Sequence, residues 1–190
     1  MTKRHPRIGV LGLQGAFQKH LEMFAKIEVP AERVIYPEQI AQVDGLVIPG
    51  GESTTMSKIL DEMQLRTAIR EFSGPIFGTC AGAILLSEDG GDPRVQSLAR
   101  ISIGMKRNGY GRQVDSFREP VLLTFDQEPF PGIFIRAPRI GYLGNKVNQL
   151  GRFQDEVVLI SNQNTLLATF HPELSDDSRI HQYFIRQFFL

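Results

Sequence analysis

The sequence predicts an α/β fold, and three observations predict it. Short apolar runs alternate with segments of helical periodicity four times within roughly the first 87 residues. Each run stops at glycine or proline before the helical pattern begins. The second half then changes to short strand candidates with little helical periodicity. Repeated strand-to-helix units imply a parallel sheet with right-handed crossovers.

Ile8 to Leu13 is the first strand-like run, and residues 17–27 repeat Phe17, Leu21, Phe24 and Ile27 at helical spacing. Arg33 to Tyr36 is a second short strand, and Pro37 suits the start of a short helix that ends before Asp44-Gly45. Leu46 to Ile48 is a buried-strand run closed by Pro49-Gly50-Gly51, followed by one helix expected from Ser57 to Phe72. Pro75 to Phe77 makes a brief strand, residues 78–82 a tight turn, and Ala83 to Ser87 the start of a small-residue helix. Residues 88–100, rich in Gly, Asp and Pro, read as a surface loop. Strands are then expected at Ile101 to Met105, Val121 to Phe125, Ile133 to Ile135, Val157 to Ile160 and Leu166 to Phe170. Tyr183, Phe184, Phe188 and Phe189 place a helix over His181 to Leu190, packed on the sheet. The change of pattern near Ser87 reads as a change of layer inside one domain spanning 1–190, with no linker or internal repeat.

The 190 residues, 42% hydrophobic and 22% charged, suffice for a sizeable core. Lys plus Arg and Asp plus Glu both number 21, so no overall field favours nucleic acid or an anionic membrane as a partner. Cys80 is the only cysteine, which excludes an internal disulfide and fits a reducing cytoplasm. No apolar run approaches the roughly 20 residues of a membrane span, and the start carries no signal-peptide core.

Gly78-x-Cys80-x-Gly82, between a strand and a helix, has the form of a nucleophile elbow with cysteine in place of serine. Such a turn holds its central side chain exposed under strain, while small neighbours admit a substrate. The helix N-terminus favours the thiolate, and the Ala81 N–H can donate to an oxyanion. The same segment also suits a buried structural cysteine in a tight turn.

A cysteine nucleophile needs a base, and the base an orienting group. Of the four histidines, His5, His20 and His181 suit solvated or core roles. His171 follows a strand and precedes Pro172, which holds it extended; in that geometry Glu173, two residues on, faces the same way and can orient the imidazole. A loop with an unrelated His and Glu is the alternative, and a metal site lacks a third ligand. Residues 49–54, PGGEST, sit at the carboxyl end of the third strand, where ligands collect in open α/β sheets; as a bare turn they would cap a helix through Ser53 or Thr54. Arg107, Arg136 and Arg139, taken alone, are ordinary surface charges.

GVLGLQGAFQKH, GLVIPGGESTTM, FGTCAGAILL, RNGYGRQVDSF, FIRAP and ATFHPEL follow one another along the chain. In that order they resemble the glutaminase subunits of pyridoxal 5'-phosphate synthase, a branch of the class I glutamine amidotransferases. The resemblance implies a three-layer, open, mixed but mostly parallel sheet of flavodoxin-like type. It implies that Cys80 attacks the side-chain amide of L-glutamine, that His171 serves as base and acid supported by Glu173, and that Gly51 and Ala81 supply the oxyanion hole. It places glutamine against Gly51, Glu52, Ser53, Arg107, Ile135 and Arg136. It also implies a synthase subunit in a large hetero-oligomer that takes the ammonia and builds pyridoxal 5'-phosphate from ribose 5-phosphate and glyceraldehyde 3-phosphate. On this reading pyridoxal 5'-phosphate is the product of the complex, and the chain needs no cofactor or metal of its own. Tyr110, where the family often has Phe, and the loosely matching stretch from Arg139 to Asp155 are departures that bear on the pocket rim and contact surface.

Overall fold

A computed structural model describes residues 5–107, 109–110 and 116–190. Asn108 and residues 111–115 of the RNGYGRQVDSF segment lie outside the described residues. In chain order the elements are β1 (Ile8–Leu11), α1 (Phe17–Lys26), β2 (Ala31–Val34), α2 (Pro37–Ile40), β3 (Gly45–Ile48), α3 (Ser53–Glu62), α4 (Leu65–Glu71), β4 (Ile76–Thr79), α5 (Ala81–Leu86) and β5 (Ser87–Asp89). There follow β6 (Ile101–Lys106), β7 (Ser116–Leu123), β8 (Phe130–Ile135), β9 (Arg139–Leu143), β10 (Asn148–Phe153), β11 (Glu156–Ser161), β12 (Thr165–Ala168), a 3₁₀ turn (Pro172–Leu174) and α6 (Arg179–Phe189).

The main sheet has the order β2-β1-β3-β4-β12-β11-β10-β7-β8. Its first five strands are mutually parallel and the remainder antiparallel, so the expected mixed sheet forms, with the parallel strands at its core. A smaller sheet, β5-β6-β9, lies beside it. The side chains of the parallel strands divide between two cores. Leu46, Ile48, Ile76 and Leu167 pack with α2 to α5, and Val47, Phe77, Leu166 and Ala168 with Phe24 of α1 and Phe184 of α6. Because both faces are covered, β3 and β4 are buried throughout, which is why their sequences are continuous apolar runs without alternation.

Several boundaries differ from the sequence reading. The single helix expected over Ser57 to Phe72 is two: α3 starts at Ser53 and ends at Glu62, and Gln64 adopts a left-handed φ of 56° before α4. The turn at residues 78–82 is shorter than expected, since Ala81 and Gly82 are already helical and Cys80 alone makes the bend. The stretch read as a loop from residue 88 contributes to β5, and β9 and β10 form where no strand was expected. Those strands are half-exposed and carry Gly, Asn and Arg, so neither apolar alternation nor a buried run marks them.

Candidate active site

Strand register brings the site together. In β4 and β12, parallel neighbours, Thr79 pairs with Ala168, so the chain leaving each strand at its carboxyl end emerges side by side. The Cys80 N–H extends the ladder by donating to the Ala168 carbonyl at 2.9 Å. On the other side of β4, Ile48 of β3 pairs with Gly78, which sets Pro49-Gly50-Gly51 beside the same edge. Cys80, the 168–174 segment and the Gly50-Gly51 turn thereby share the carboxyl ends of three adjacent strands, the usual ligand position in such sheets.

Cys80 has φ 48° and ψ −105°, a conformation that non-glycine residues rarely adopt. The packing around it explains how the strain is held. A Cβ at Gly82 would fall 1.9 Å from the Ile48 carbonyl oxygen, so only glycine lets α5 start this close to β3. Cys80 is 6% exposed, and its Sγ lies 3.7 Å from the carbonyl oxygen of Ile135.

His171 is anchored through its N–H to the Ile133 carbonyl at 2.8 Å, and its Nδ1 lies 2.7 Å from Glu173 Oε1. The route to that contact differs from the extended segment expected from sequence. Pro172 to Leu174 form one 3₁₀ turn, which brings the fully buried Glu173 carboxylate back under the ring. Burial opposes a charge on His171, but its interactions with Cys80 and Glu173 prevail and push its pKa up to about 10. The imidazolium is therefore the form this setting stabilises.

A cleft of about 690 Å³ opens above these groups. It is lined by Cys80, His171, Gly50, Gly51, Glu52, Ser53, Ala81, Arg107, Tyr110, Ile135, Arg136 and neighbouring residues. All the residues expected at the site are brought to it, though not all in the state expected. Ala81 opens α5, so its N–H has no intrahelical acceptor. Ser53 lines the cleft, and its Oγ is buried without a hydrogen-bond partner among the described residues. The helix cap is Glu52 instead of Ser53 or Thr54: its carboxylate accepts from the N–H groups of Thr54 at 3.2 Å and Thr55 at 2.6 Å. Burial works against the Glu52 charge, but these hydrogen bonds outweigh it and lower its pKa to about 2. Arg107 is held by two carboxylates, Asp92 and Glu52, the latter at 3.2 Å. Arg136 is exposed, has φ 44°, and makes no ion pair among the described residues. Of the two arginines, it is the one whose guanidinium is uncommitted.

Two contributors, Gln14 and Asp92, were not singled out from sequence, and Gly50 was read there only as part of the Pro49-Gly50-Gly51 turn. Gly50 faces the reacting groups, since a Cβ there would lie 2.3 Å from His171 Cε1 and 3.3 Å from Cys80 Cβ. Gln14 donates to the Glu52 carbonyl at 3.2 Å, and Asp92 holds Arg107 from the stretch taken for a plain loop. The glycine pair was a visible signal; the two polar contacts carry none that spacing could reveal.

A strained cysteine on a strand-to-helix elbow, with a histidine and a buried carboxylate delivered by the neighbouring parallel strand, defines a cysteine-nucleophile α/β enzyme site. Residues 10–190 match the SNO glutamine amidotransferase family. Pyridoxal 5'-phosphate synthase subunit PdxT of Thermosipho africanus is 46% identical over 183 residues, covering 94% of this chain and 97% of that protein. The same-named subunit of Pyrococcus horikoshii is 45% identical, covering 95% and 98%. A crystal structure of a glutamine amidotransferase superposes with a TM-score of 0.89 at 38% identity, covering 96% of this chain and 99% of that one. The chain therefore belongs to the SNO glutamine amidotransferase family. A solved structure from Thermoplasma acidophilum, 16% identical with a TM-score of 0.70 and covering 96% of this chain and 94% of that one, shares the fold.

Proposed function

We propose that this chain hydrolyses L-glutamine to glutamate and ammonia, and that it does so as the glutaminase subunit of a pyridoxal 5'-phosphate synthase. The observation that carries the reading is the strained Cys80 beside a His171–Glu173 pair 2.7 Å apart. The family membership and the subunits named above give that constellation its substrate.

The Cys80 proton rests on His171, as the imidazolium that this setting stabilises, and the Sγ thiolate attacks the side-chain amide carbon. The oxyanion that forms takes the N–H groups of Gly51 and Ala81 as donors. The C–N bond breaks as His171 returns the proton to the departing nitrogen, which leaves as ammonia, and a glutamyl thioester remains on Cys80. Water then attacks the thioester, giving its proton to His171, and the thiolate is regenerated as glutamate leaves. The imidazolium stabilised by Glu173 is the species this cycle passes through twice. Glutamine lies along the cleft, its amide at Cys80 and its amino-acid end between Ser53 and the rim formed by Arg107, Ile135 and Arg136. A synthase subunit receives the ammonia and forms pyridoxal 5'-phosphate. The lone cysteine suits the reducing cytoplasm in which we place the reaction.

The test is glutamate release from L-glutamine by the purified chain, alone and with the synthase subunit. Turnover that requires Cys80, being lost in Cys80→Ala, is the expected result. Turnover unchanged in Cys80→Ala, or none with the synthase subunit present, would refute the proposal.

A further inference from the structure

Of the three histidines that the chemistry above does not use, His20 and His181 are completely buried. His20 comes from α1 and His181 from α6, the two helices on one face of the sheet. His20 Nδ1 lies 2.9 Å from His181 Nε2. On its other side, His20 Nε2 lies 3.2 Å from Thr79 Oγ1 and 3.5 Å from Glu173 Oε2. That second oxygen of Glu173 has no hydrogen bond among the described residues, while the first is engaged by His171.

The tautomers follow from donor counting. Burial, with the nearby His181 and His171, holds His20 well below its ordinary pKa, and burial lowers His181 to about 3, so each ring is neutral with one N–H. If His20 carried its proton on Nδ1, its Nε2 lone pair would face the Glu173 carboxylate, and His181 would be left with an orphan buried N–H at Nδ1. With the proton on Nε2, His20 presents a donor to Glu173 and Thr79, and its Nδ1 accepts from His181 Nε2–H. His181 Nδ1, which has no partner, is then only an unused lone pair, the cheaper of the two orphans.

We propose that His20, its tautomer set by His181, is a positioning residue that holds the free oxygen of Glu173 and through it the orientation of His171. The 3.5 Å separation is the resting value; such contacts tighten when charge develops in the reacting complex. A buried carboxylate held at one oxygen alone can rotate about its terminal torsion, and the His171 ring would rotate with it. An apolar pair would fill the same space between α1 and α6 without the cost of burying two imidazoles, so the polar choice calls for a use.

The inference rests on the proposed glutaminase reading, and its test separates the two. Glutamate release is measured in complex with the synthase subunit for wild type, Cys80→Ala, His20→Leu, His20→Gln and His181→Phe, with thermal melting of each. Turnover by wild type that is lost in Cys80→Ala establishes the reading on which the inference stands; its failure refutes both. We expect His20→Leu to lower kcat by about 10- to 100-fold, the range for one hydrogen bond to a charged group, with KM unchanged. His20→Gln, which retains an N–H donor near the original Nε2, restores most of that loss. An unchanged kcat in His20→Leu, or a folded His20→Gln no better than it, overturns the proposal. If His20→Leu does not fold, His181→Phe decides: it keeps the aromatic contacts to Phe24 and Phe77 and removes the donor to His20. A fall in kcat at constant KM then supports the relay, and an unchanged kcat overturns it.

Discussion

Adding a single methyl group at Gly50 tests how tightly the site is assembled. A Cβ at that position would lie 2.3 Å from His171 Cε1, 3.1 Å from Nδ1 and 3.3 Å from Cys80 Cβ. Carbon atoms in contact settle at about 3.5–4.0 Å, so the ring and the new methyl must separate by roughly 1.2 Å or more. Neither side can yield easily. His171 is tied by its N–H to Ile133 and by Nδ1 to Glu173, and retreat of the ring stretches the 2.7 Å contact that orients it. Withdrawal of residues 50–51 is limited by the Gly50 carbonyl, which packs so close to Gly15 that a Cβ there would be 1.7 Å from the oxygen.

A misplacement of about 1 Å costs on the order of 10²-fold in rate, equivalent to about 2.7 kcal/mol of transition-state stabilisation. Gly50→Ala is therefore expected to lower kcat/KM for glutamate release about 100-fold while the chain still melts cooperatively. Gly51→Ala is the comparison, since its Cβ would meet the flexible ends of Met56 at 2.9 Å and Gln14 at 3.3 Å, and its loss should stay below about tenfold. The measurement is steady-state glutamate release with the synthase subunit present. A Gly50→Ala protein within threefold of wild type, or one no worse than Gly51→Ala, would refute the argument that Gly50 is glycine to let His171 reach Cys80.

Two further outcomes follow from the charges around the cleft. Because Arg136 makes no ion pair among the described residues whereas Arg107 is shared between Asp92 and Glu52, Arg136→Ala should raise KM for glutamine at least tenfold with kcat within threefold, and an unchanged KM would remove Arg136 from the substrate's carboxylate. Glu52→Ala removes the α3 cap at a cost of about 1 kcal/mol near neutral pH. The folded pKa of Glu52, about 2, lies below its ordinary 4.5, so its contribution is complete above 4.5 and fades as pH falls toward 2. Urea denaturation should accordingly show a stability gap between wild type and variant that narrows over that acid range; a gap independent of pH would exclude the charged cap.

What the sequence revealed and what it concealed divide along a physical line. Cys80 and the glycines around it were legible because an elbow needs small residues at fixed spacing, and local backbone geometry is written locally. The parallel half of the sheet was legible because strands covered on both faces must be apolar throughout. β9 and β10 were not, since an open face permits polar residues and removes the period. Glu173 shows a subtler limit: the His171 contact was foreseen, but through an extended segment, where the chain instead uses a 3₁₀ turn after Pro172. Two residues of separation left both geometries open, and packing of Glu173 beneath the ring chose between them.

His20 marks the far end of the same scale. On α1 it sits three residues after Phe17 and four before Phe24, so the helical period puts it on the buried face beside Phe24, where a helix read alone shows no partner for its ring. It is buried because that side of α1 meets α6 and the carboxyl end of β4, where His181, Thr79 and Glu173 accommodate a polar ring. The four groups lie as far apart in sequence as 161 positions, so no local pattern could join them. A polar residue on a helix thus reports a polar neighbour as readily as it reports water. When that neighbour is the buried carboxylate behind a histidine at the reacting centre, the reach of the site extends a full layer beneath the cleft.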